Sequence, residues 1–372
     1  MNFEYSDEQQ QLADSLRKYL AQAYGFEQRK AILQSAAGSS AQAWATFAEM
    51  GLTAIALPEA DGGFGGGAVE LMPVMEACGE ALVVEPLLDH VGLAARLLAR
   101  AGSEAQRAAL LPAAIDGSSV LTLAYLEPGQ RYELVPQTTT ARAEGSGWVL
   151  NGAKCVVVGA PLAARLLVSA RTGDGVSLFV IDPRAAGVTL NPYRTVDGQR
   201  AADLRFAGVR LGADALLGRA GEALPLLDEA VDFATALQCA DAIGAMQYAN
   251  ETTLDYLKTR KQFGVPIASF QALQHRMVEM FIHTEQARSM AILAASKVDA
   301  GVPAAERQRA VSGAKIKIAD AARHVSQEAV QLHGGMGMTE ELKISHTFRR
   351  LTTIGQRFGD ADHHLQRYAG LG

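Results

Sequence analysis

Arg260 and Phe263, in the segment Arg260–Gly264, have the types and spacing to bind a flat, anionic ligand. The guanidinium of arginine is always charged, and its planar set of donors matches a pyrophosphate. A phenyl ring three residues later can pack on the edge of a flat group. The alternative is that Arg260 pairs with a carboxylate such as Asp255 and that Phe263 belongs to the core. The residues alone leave both interpretations open.

A second segment, Gln331–Gly335, combines an amide with two glycines. Gly334 and Gly335 lack side chains, so the backbone there can approach a phosphate or an adenine closely. The amide of Gln331 can hydrogen-bond an adenine. Paired glycines are also ordinary helix terminators, so this segment has a purely structural alternative as well.

Two other features that look like sites are interpreted as structural. The glycine-rich stretch Pro58–Gly67 follows no strand–turn–helix unit with a dinucleotide fingerprint, and we interpret it as a connector. His363 and His364 stand beside Asp362, but adjacent residues of a helix point in different directions. We therefore interpret the histidines as the start of a surface helix and expect no metal site.

Composition excludes several classes of protein. The chain has 372 residues, a formal net charge of -6 and 49% hydrophobic residues, so we expect several packed units and no nucleic-acid partner. Three widely separated cysteines, at positions 78, 155 and 239, suit a reducing cytoplasm. The N-terminal segment lacks the basic start of a secretory signal, and no run of about 20 apolar residues is present. We expect a cytoplasmic protein without a membrane segment.

The order of apolar patterns predicts helices, then strands, then helices. In the first region Leu12, Leu16 and Leu20 recur at the spacing of a helical turn, and a further helix is expected to begin near Val69. The predicted strands are Val120–Leu126, Trp148–Leu150, Cys155–Val158, Arg165–Ala170, Val176–Ile181 and Asp203–Phe206, with turns at Asn151–Gly152 and Gly173-Asp174-Gly175. The predicted long helices are Leu224–Arg260, Phe270–Val298 and Ala304–Leu332. The corresponding domains are 1–117, 118–219 and 220–372.

Three segments together resemble one family. They are Trp44–Leu52 running into Leu57–Glu59 and the glycine-rich stretch, Tyr256–Gly264 followed by Phe270–Gln271, and Ala329–Gly337. In this order they resemble the acyl-CoA dehydrogenases over nearly the whole chain. The resemblance implies an N-terminal all-α domain, a middle antiparallel β domain and a C-terminal four-helix bundle. It also implies FAD as cofactor, α,β-dehydrogenation of an acyl-CoA, and transfer of electrons to an electron-transferring flavoprotein.

The same resemblance assigns binding roles to the two segments described first. In homotetramers of this family, they contact the adenosine and pyrophosphate of a flavin held mainly by the neighbouring subunit. The implied cofactor-binding residues are Arg260, Gln262, Phe263, Gln271, Gln331, Gly334 and Gly335.

Three positions that grip the flavin ring in the family depart from its pattern. Leu126 precedes the Glu-Pro-Gly turn at position 127, where the family has a threonine. Val156 and Val158 follow Asn151–Gly152, where the family has a tryptophan and a threonine. An aliphatic side chain cannot hydrogen-bond a flavin, and consecutive valines favour a packed β core.

The catalytic base of the family is also absent. It must remove the α proton of the substrate, which requires a carboxylate. The two positions where the family carries it correspond here to Phe358 and to Ala234 or Thr235. The nearest substitute is Asp360, although an acidic residue after a glycine is more typical of a helix N-cap.

These departures favour the interpretation that the chain is one subunit of a dehydrogenase built from two different, homologous subunits. The chain resembles the small subunit of heteromeric members such as pimeloyl-CoA dehydrogenase, and the paired dehydrogenases of steroid side-chain degradation. The expected partner is then a homologous large subunit in a heterotetramer. The alternatives are a self-sufficient homo-oligomeric dehydrogenase or oxidase that uses Asp360, a flavin monooxygenase of the same fold, and a non-catalytic structural subunit.

Overall fold

The computed structural model describes residues 5–173 and 175–371. Helices come first: α1 Asp7–Ala23, α2 Phe26–Gln34, α3 Ala41–Glu49, α4 Ala68–Ala81, a π-helical segment Leu88–Ala95 that continues into α5 Arg96–Ala101, and α6 Glu104–Ile115. The strands are β1 Leu121–Ala124, β2 Thr140–Glu144, β3 Gly147–Val158, β4 Arg165–Thr172, β5 Gly175–Ile181, β6 Val188–Arg194, β7 Arg200–Leu211 and β8 Leu216–Leu217. The C-terminal elements are α7 Leu224–Thr259, β9 Lys261–Gln262, β10 Val265–Pro266, α8 Gln271–Asp299, α9 Ala304–His333, α10 Lys343–Gln356 and α11 Ala361–Ala369.

The chain folds into two compact units. A helical unit contains residues 5–30, 68–83 and 235–371, and a mixed unit contains residues 31–67, 84–173 and 175–234. The predicted order of helices, strands and helices is confirmed, with an N-terminal helical part, a middle sheet and a C-terminal helical part. The limits 1–117, 118–219 and 220–372 stay a prediction.

The mixed unit is built on one sheet with the strand order β6-β7-β3-β2-β4-β5-β8, and β1 lies beside β4. Most neighbours are antiparallel, as predicted, but β1 and β2 each pair with β4 in parallel. One face carries a buried apolar core that includes Leu150, Val168, Phe179, Leu204 and Phe206.

The predicted turn at Asn151–Gly152 was wrong. Both residues lie inside β3, which joins the two predicted strands Trp148–Leu150 and Cys155–Val158. The pairing of β3 with β7 shifts register between Leu150 and Gly152, which is a β-bulge. A Cβ on Gly152 would lie 2.4 Å from the Cα of Thr139, so the glycine serves close packing within the sheet.

The other predicted turn joins β4 to β5. These strands are antiparallel, and Thr172 pairs with Gly175 at their connected ends. Asp174 lies outside the described residues. The strand signals on both sides of this turn were sufficient to predict the hairpin.

The long helices of the helical unit lie where alanine-rich periodicity predicted them. The segments Leu224–Arg260, Phe270–Val298 and Ala304–Leu332 correspond to α7, α8 and α9 within a residue or two at each end. α8, α10 and α11 all pack against α9. None of the helices within residues 5–173 and 175–371 combines the length and apolarity needed to cross a membrane.

Two glycines allow α4 and α7 to cross in direct backbone contact. A Cβ on Gly79 would lie 1.9 Å from the carbonyl oxygen of Asp241, and a Cβ on Gly244 would lie 1.8 Å from that of Glu76. Distances this short are far below van der Waals contact, and the opposing atoms are backbone. Any larger residue therefore has to push the helices apart.

Gly244→Ala is expected to lower the free energy of unfolding by about 3 kcal/mol, because the new methyl group overpacks a backbone contact. The measurement is urea denaturation followed by circular dichroism. Gly313→Ala in α9 is the matched control, since its Cβ would meet only the side chains of Met290 at 3.4 Å and Tyr368 at 3.7 Å. That variant should gain about 0.5 kcal/mol from helix propensity. Equal effects of the two substitutions would contradict a direct backbone contact between α4 and α7.

Candidate functional site

A short hairpin follows α7 and carries Arg260 and Phe263. The backbone N–H of Arg260 donates to the carbonyl of Tyr256 at 2.8 Å, and the N–H of Ile267 donates to the carbonyl of Arg260 at 2.9 Å. Phe263 and Gly264 have φ values of 54° and 80°, which gives the turn the primed geometry of tight hairpins. Positive φ is uncommon for a phenylalanine, yet the ring is 90% exposed. The hairpin thus holds its aromatic ring outward.

The end of α9 lies beside the end of α7. The ring of His333, the last residue of α9, stacks on the ring of Tyr256 in α7 with centroids 4.5 Å apart and an interplanar angle of 28°. Because Arg260 follows Tyr256 by one helical turn and Gly334 follows His333 directly, the two segments identified from sequence meet in one part of the helical unit. Gln331 is exposed there as well.

Gly334 and Gly335 differ in whether the backbone conformation requires a glycine. Gly334 has a φ of 61°, which favours glycine at the end of a helix. Gly335 has no positive φ, and a Cβ on it would meet no described atom within 4 Å. The part of the chain that the structure describes thus gives no packing reason for a glycine at position 335. A close approach by something outside the chain would give one.

The seven predicted cofactor-binding residues are therefore exposed in one unit. We call this set the α7–α9 corner, and its members are Arg260, Gln262, Phe263, Gln271, Gln331, Gly334 and Gly335. Phe270 packs edge-on against Phe263, with ring centroids 6.0 Å apart. Arg260 forms no ion pair with any carboxylate of residues 5–173 and 175–371, so the alternative of a pair with Asp255 is not observed. The corner presents a free cation, amides and an aromatic ring.

Asp360 acts as the N-cap of α11. Its Oδ1 accepts a hydrogen bond from the backbone N–H of His363 at 2.9 Å. This is the structural alternative expected from sequence for an acidic residue after glycine. His364 is buried, and burial lowers its pKa to about 3, so its ring is neutral. No cluster of three or more metal-ligating side chains occurs within the described ranges.

A phenyl ring takes the place of the carboxylate at position 358. Phe358 is buried, has a φ of 60°, and lies under the guanidinium of Arg357 at 4.6 Å. Its carbonyl oxygen is 3.0 Å from Nε2 of His364, whose Nδ1 is 3.2 Å from the hydroxyl of Ser312. These contacts hold position 358 in place, but its side chain has no carboxylate that could act as a base. The second position, at Ala234 and Thr235 of α7, is buried.

In the mixed unit, the backbone beside the three aliphatic positions is already hydrogen-bonded internally. The carbonyl of Leu126 accepts from the N–H of Cys155 at 3.0 Å, and the carbonyl of Val158 accepts from the hydroxyl of Thr122 at 2.6 Å. The N–H of Val156 lies 3.1 Å from both the hydroxyl of Tyr193 and a carboxylate oxygen of Asp203. The side chains of Leu126, Val156 and Val158 have no group that could hydrogen-bond a flavin ring, and these three backbone groups are already hydrogen-bonded within the unit.

The valine run is only partly the packed core that the sequence predicted. Val157 and Val158 are buried, but Val156 is 48% exposed and has a φ of 51°. A second bulge between Lys154 and Val157 causes the difference, because it turns Val156 out of the sheet. A branched residue in this conformation is strained, and no local sequence signal predicted it.

A buried ion pair next to this strand was also missed from sequence. Nζ of Lys154 lies 3.1 Å from Oε1 of Glu127, and both side chains are fully buried. Glu127 also accepts from the backbone N–H groups of Thr138 at 2.7 Å and Thr139 at 2.9 Å. The pair ties the turn after β1 to the middle of β3. A lysine and a glutamate 27 residues apart give no periodic signal, so only the fold brings them together.

Comparison with known proteins identifies the family. Models of the N-terminal, middle and C-terminal domains of acyl-CoA dehydrogenase match residues 6–118, 122–209 and 224–366. Acyl-CoA dehydrogenase FadE12 of Mycobacterium tuberculosis is 32% identical over 360 residues, which cover 92% of this chain and 90% of that protein.

Two solved structures share the fold over almost the full chain. The Tcur3481-Tcur3483 steroid ACAD variant has a TM-score of 0.89 at 31% identity, and the match covers 98% of this chain and 97% of the chain in that structure. A chain of the ChsE4-ChsE5 complex of Mycobacterium tuberculosis has a TM-score of 0.91 at 26% identity, and the match covers 100% of this chain and 98% of that one. The fold and these relatives define an oxidoreductase of the class that acts on CH–CH bonds with FAD. The chain belongs to the acyl-CoA dehydrogenase family.

The Glu127–Lys154 pair predicts a particular response to acid. Burial raises the pKa of Glu127, but hydrogen bonds from Thr139 and Thr138 and the charge of Lys154 outweigh it and bring the pKa from 4.5 to about 2. Ionised Glu127 thus contributes stability that is complete above pH 4.5 and is lost as the pH falls toward 2.

Glu127→Gln is expected to lower the free energy of unfolding at pH 7 by about 3 kcal/mol, because it leaves Lys154 buried with an unpaired charge. Its thermal midpoint should also fall less steeply than that of the wild type as the pH drops from 4.5 to 2. Calorimetry across this range measures both effects. Glu144→Gln, at an exposed glutamate of β2, is the control and should retain the wild-type slope. An unchanged slope in Glu127→Gln would show that the pair does not govern acid stability.

Proposed function

We propose that this chain is one subunit of a heteromeric FAD-dependent acyl-CoA dehydrogenase and that it contributes the contacts to the ADP half of the flavin. An unlike, homologous subunit supplies the contacts to the flavin ring and the catalytic base. The observation that carries the proposal is a contrast between two sets of residues. The α7–α9 corner retains the groups that the family uses toward a neighbour, while positions 126, 156, 158 and 358 have lost those that serve a flavin and a substrate of their own.

The α7–α9 corner can bind a dinucleotide end through three kinds of contact. The guanidinium of Arg260 provides two parallel donors for the pyrophosphate, and charge-assisted bonds of this kind are about twice as strong as neutral ones. The exposed amides of Gln262, Gln271 and Gln331 hydrogen-bond adenosine, and the outward ring of Phe263 covers its flat edge. Gly334 and Gly335 let the backbone approach the same group.

FAD, when bound, accepts the hydride that leaves the β carbon of the acyl group as the α proton is removed. The residues of this chain do not remove that proton, since Phe358, Ala234 and Thr235 have no basic group. Asp360 is engaged as a helix cap, which argues against the self-sufficient homo-oligomer. The partner's carboxylate therefore acts as the base, and an electron-transferring flavoprotein receives the electrons.

An exposed apolar face on α8 supports assembly with another subunit. Val278, Phe281 and Ile282 are 54%, 58% and 46% exposed, and their spacing places them on one face of the helix. Contiguous exposed apolar residues of this kind mark protein interaction sites. Among the solved structures that resemble this chain, one is the Tcur3481-Tcur3483 steroid ACAD variant and another is the ChsE4-ChsE5 complex. A fatty-acyl or steroid side-chain thioester is the substrate class that fits.

Co-expression with a homologous acyl-CoA dehydrogenase chain from the same genome tests this proposal. The purified pair is expected to contain about half a flavin per chain, because only one of its two half-sites is complete. In that pair, Arg260→Ala should weaken FAD binding by about tenfold or more, the worth of one charge-assisted hydrogen bond. Arg219→Ala, at an exposed arginine of the mixed unit, is the control. The proposal is wrong if this chain alone binds one FAD and oxidises an acyl-CoA.

Asp360→Asn separates the paired enzyme from a self-sufficient one. Asparagine is as good an N-cap as aspartate, so α11 keeps its start while the carboxylate is lost. We expect the flavin content and kcat of the pair to stay within about twofold of the wild type, since general-base catalysis contributes about a hundredfold or more where it operates. Loss of activity on that scale, with flavin content unchanged, would instead identify Asp360 as the base.

A further inference from the structure

Tyr256 and His333 join the two segments of the α7–α9 corner, although neither belongs to it. Their rings are nearly parallel at 4.5 Å. His333 is 3% exposed and Tyr256 is half-buried, whereas Arg260, Gly334 and Gly335 are exposed.

The stack is placed to set the distance between the two segments. Tyr256 accepts the hydrogen bond of the Arg260 N–H at 2.8 Å, so the ring of Tyr256 and the start of the hairpin belong to one helical turn. His333 directly precedes Gly334 and Gly335. A change in ring spacing therefore moves Arg260 relative to the two glycines, because a single helical turn links Tyr256 to Arg260 and His333 is bonded directly to Gly334.

The chemistry of His333 suits a neutral stacking partner. Its Nδ1 lies 2.8 Å from the carbonyl oxygen of Ala329, one turn earlier in α9. A carbonyl only accepts hydrogen bonds, so Nδ1 carries the proton and fixes the orientation of the ring. Burial lowers the pKa of His333, which favours the same neutral form.

A separate contact holds the remaining helix of the corner. Nε of Arg276 in α8 lies 2.5 Å from a carboxylate oxygen of Glu328 in α9. Loss of the aromatic stack therefore leaves the start of α8 attached to the end of α9. The stack is the aromatic contact that joins the end of α7 to the end of α9.

We propose that Tyr256 and His333 are positioning residues for the ADP half of FAD: their stack holds the Arg260 hairpin at the distance from Gly334 and Gly335 that one dinucleotide spans. This inference rests on the proposed function, which assigns the corner to the flavin. The two residues act through the backbone of their neighbours and not by contact with the cofactor.

The test compares Tyr256→Ala with Tyr256→Phe in the co-expressed pair. Fluorescence titration of the flavin-free pair with FAD gives Kd, and the turnover of an acyl-CoA at saturating FAD gives kcat. Tyr256→Ala should raise Kd by about tenfold, while kcat stays within about twofold of the wild type. Tyr256→Phe keeps the ring and should retain the wild-type Kd. His333→Phe also keeps the stack and should behave in the same way.

A purely structural role would give a different pattern. The thermal midpoint of Tyr256→Ala would then fall while the Kd for FAD stayed unchanged, and this result would overturn the inference. Equal loss of affinity in Tyr256→Ala and Tyr256→Phe would also overturn it, because the hydroxyl and not the stack would be responsible. Tyr256→Leu retains most of the side-chain volume and replaces the alanine variant if that variant does not fold.

Arg260→Ala separates this inference from the proposed function. If Arg260→Ala and Tyr256→Ala both leave the Kd for FAD unchanged, the assignment of the corner to the flavin is wrong. If only Arg260→Ala weakens binding, the corner binds FAD and the stack does not position it. Weaker binding in both variants, with recovery in Tyr256→Phe, supports the two proposals together.

Discussion

The helical unit depends on the backbone contact between α4 and α7 at Gly79 and Gly244. This crossing leaves no room for side chains, so the charged residues beside it have to find partners on other helices. Glu76 of α4 accepts two hydrogen bonds from Arg288 of α8, each 3.0 Å long, and one from Tyr5 at 2.7 Å. Asp241 of α7 pairs with Arg350 of α10 at 3.1 Å. One close contact thus fixes four helices, because a buried charge that lost its partner would strongly destabilise the fold.

The helices could be predicted from sequence because their signals are local. Alanine-rich periodicity gave α8 almost to the residue, and the sequence placed Asp360 before a helix that it does cap. The bulge of β7 opposite Asn151 and the strained Val156 were missed because both depend on the pairing of β3 with β7, whose residues lie about 50 positions further along the chain. The local preference of Asn-Gly for a turn is weaker than the strand pairing of β3 with its neighbours on both sides.

The candidate site shows the same division between local and long-range information. The residue types of the α7–α9 corner could be identified from sequence through the family resemblance, but the stack of Tyr256 on His333 could not, since it joins residues far apart in the chain. The aliphatic positions were visible in sequence as departures. Only the structure shows that the N–H of Val156 is already hydrogen-bonded to Tyr193 and Asp203.

The exposed apolar residues affect how long the unassembled chain persists in a cell. Phe263, Phe281 and Ile282 face solvent in the single chain, and such surfaces associate with unfolded or unrelated proteins when no partner covers them. An orphan copy is therefore a target for chaperones and proteases. Under the proposed function, the supply of the partner sets how much of this subunit survives. The two chains therefore have to be made in balanced amounts, both to cover the apolar surface and to complete the catalytic site.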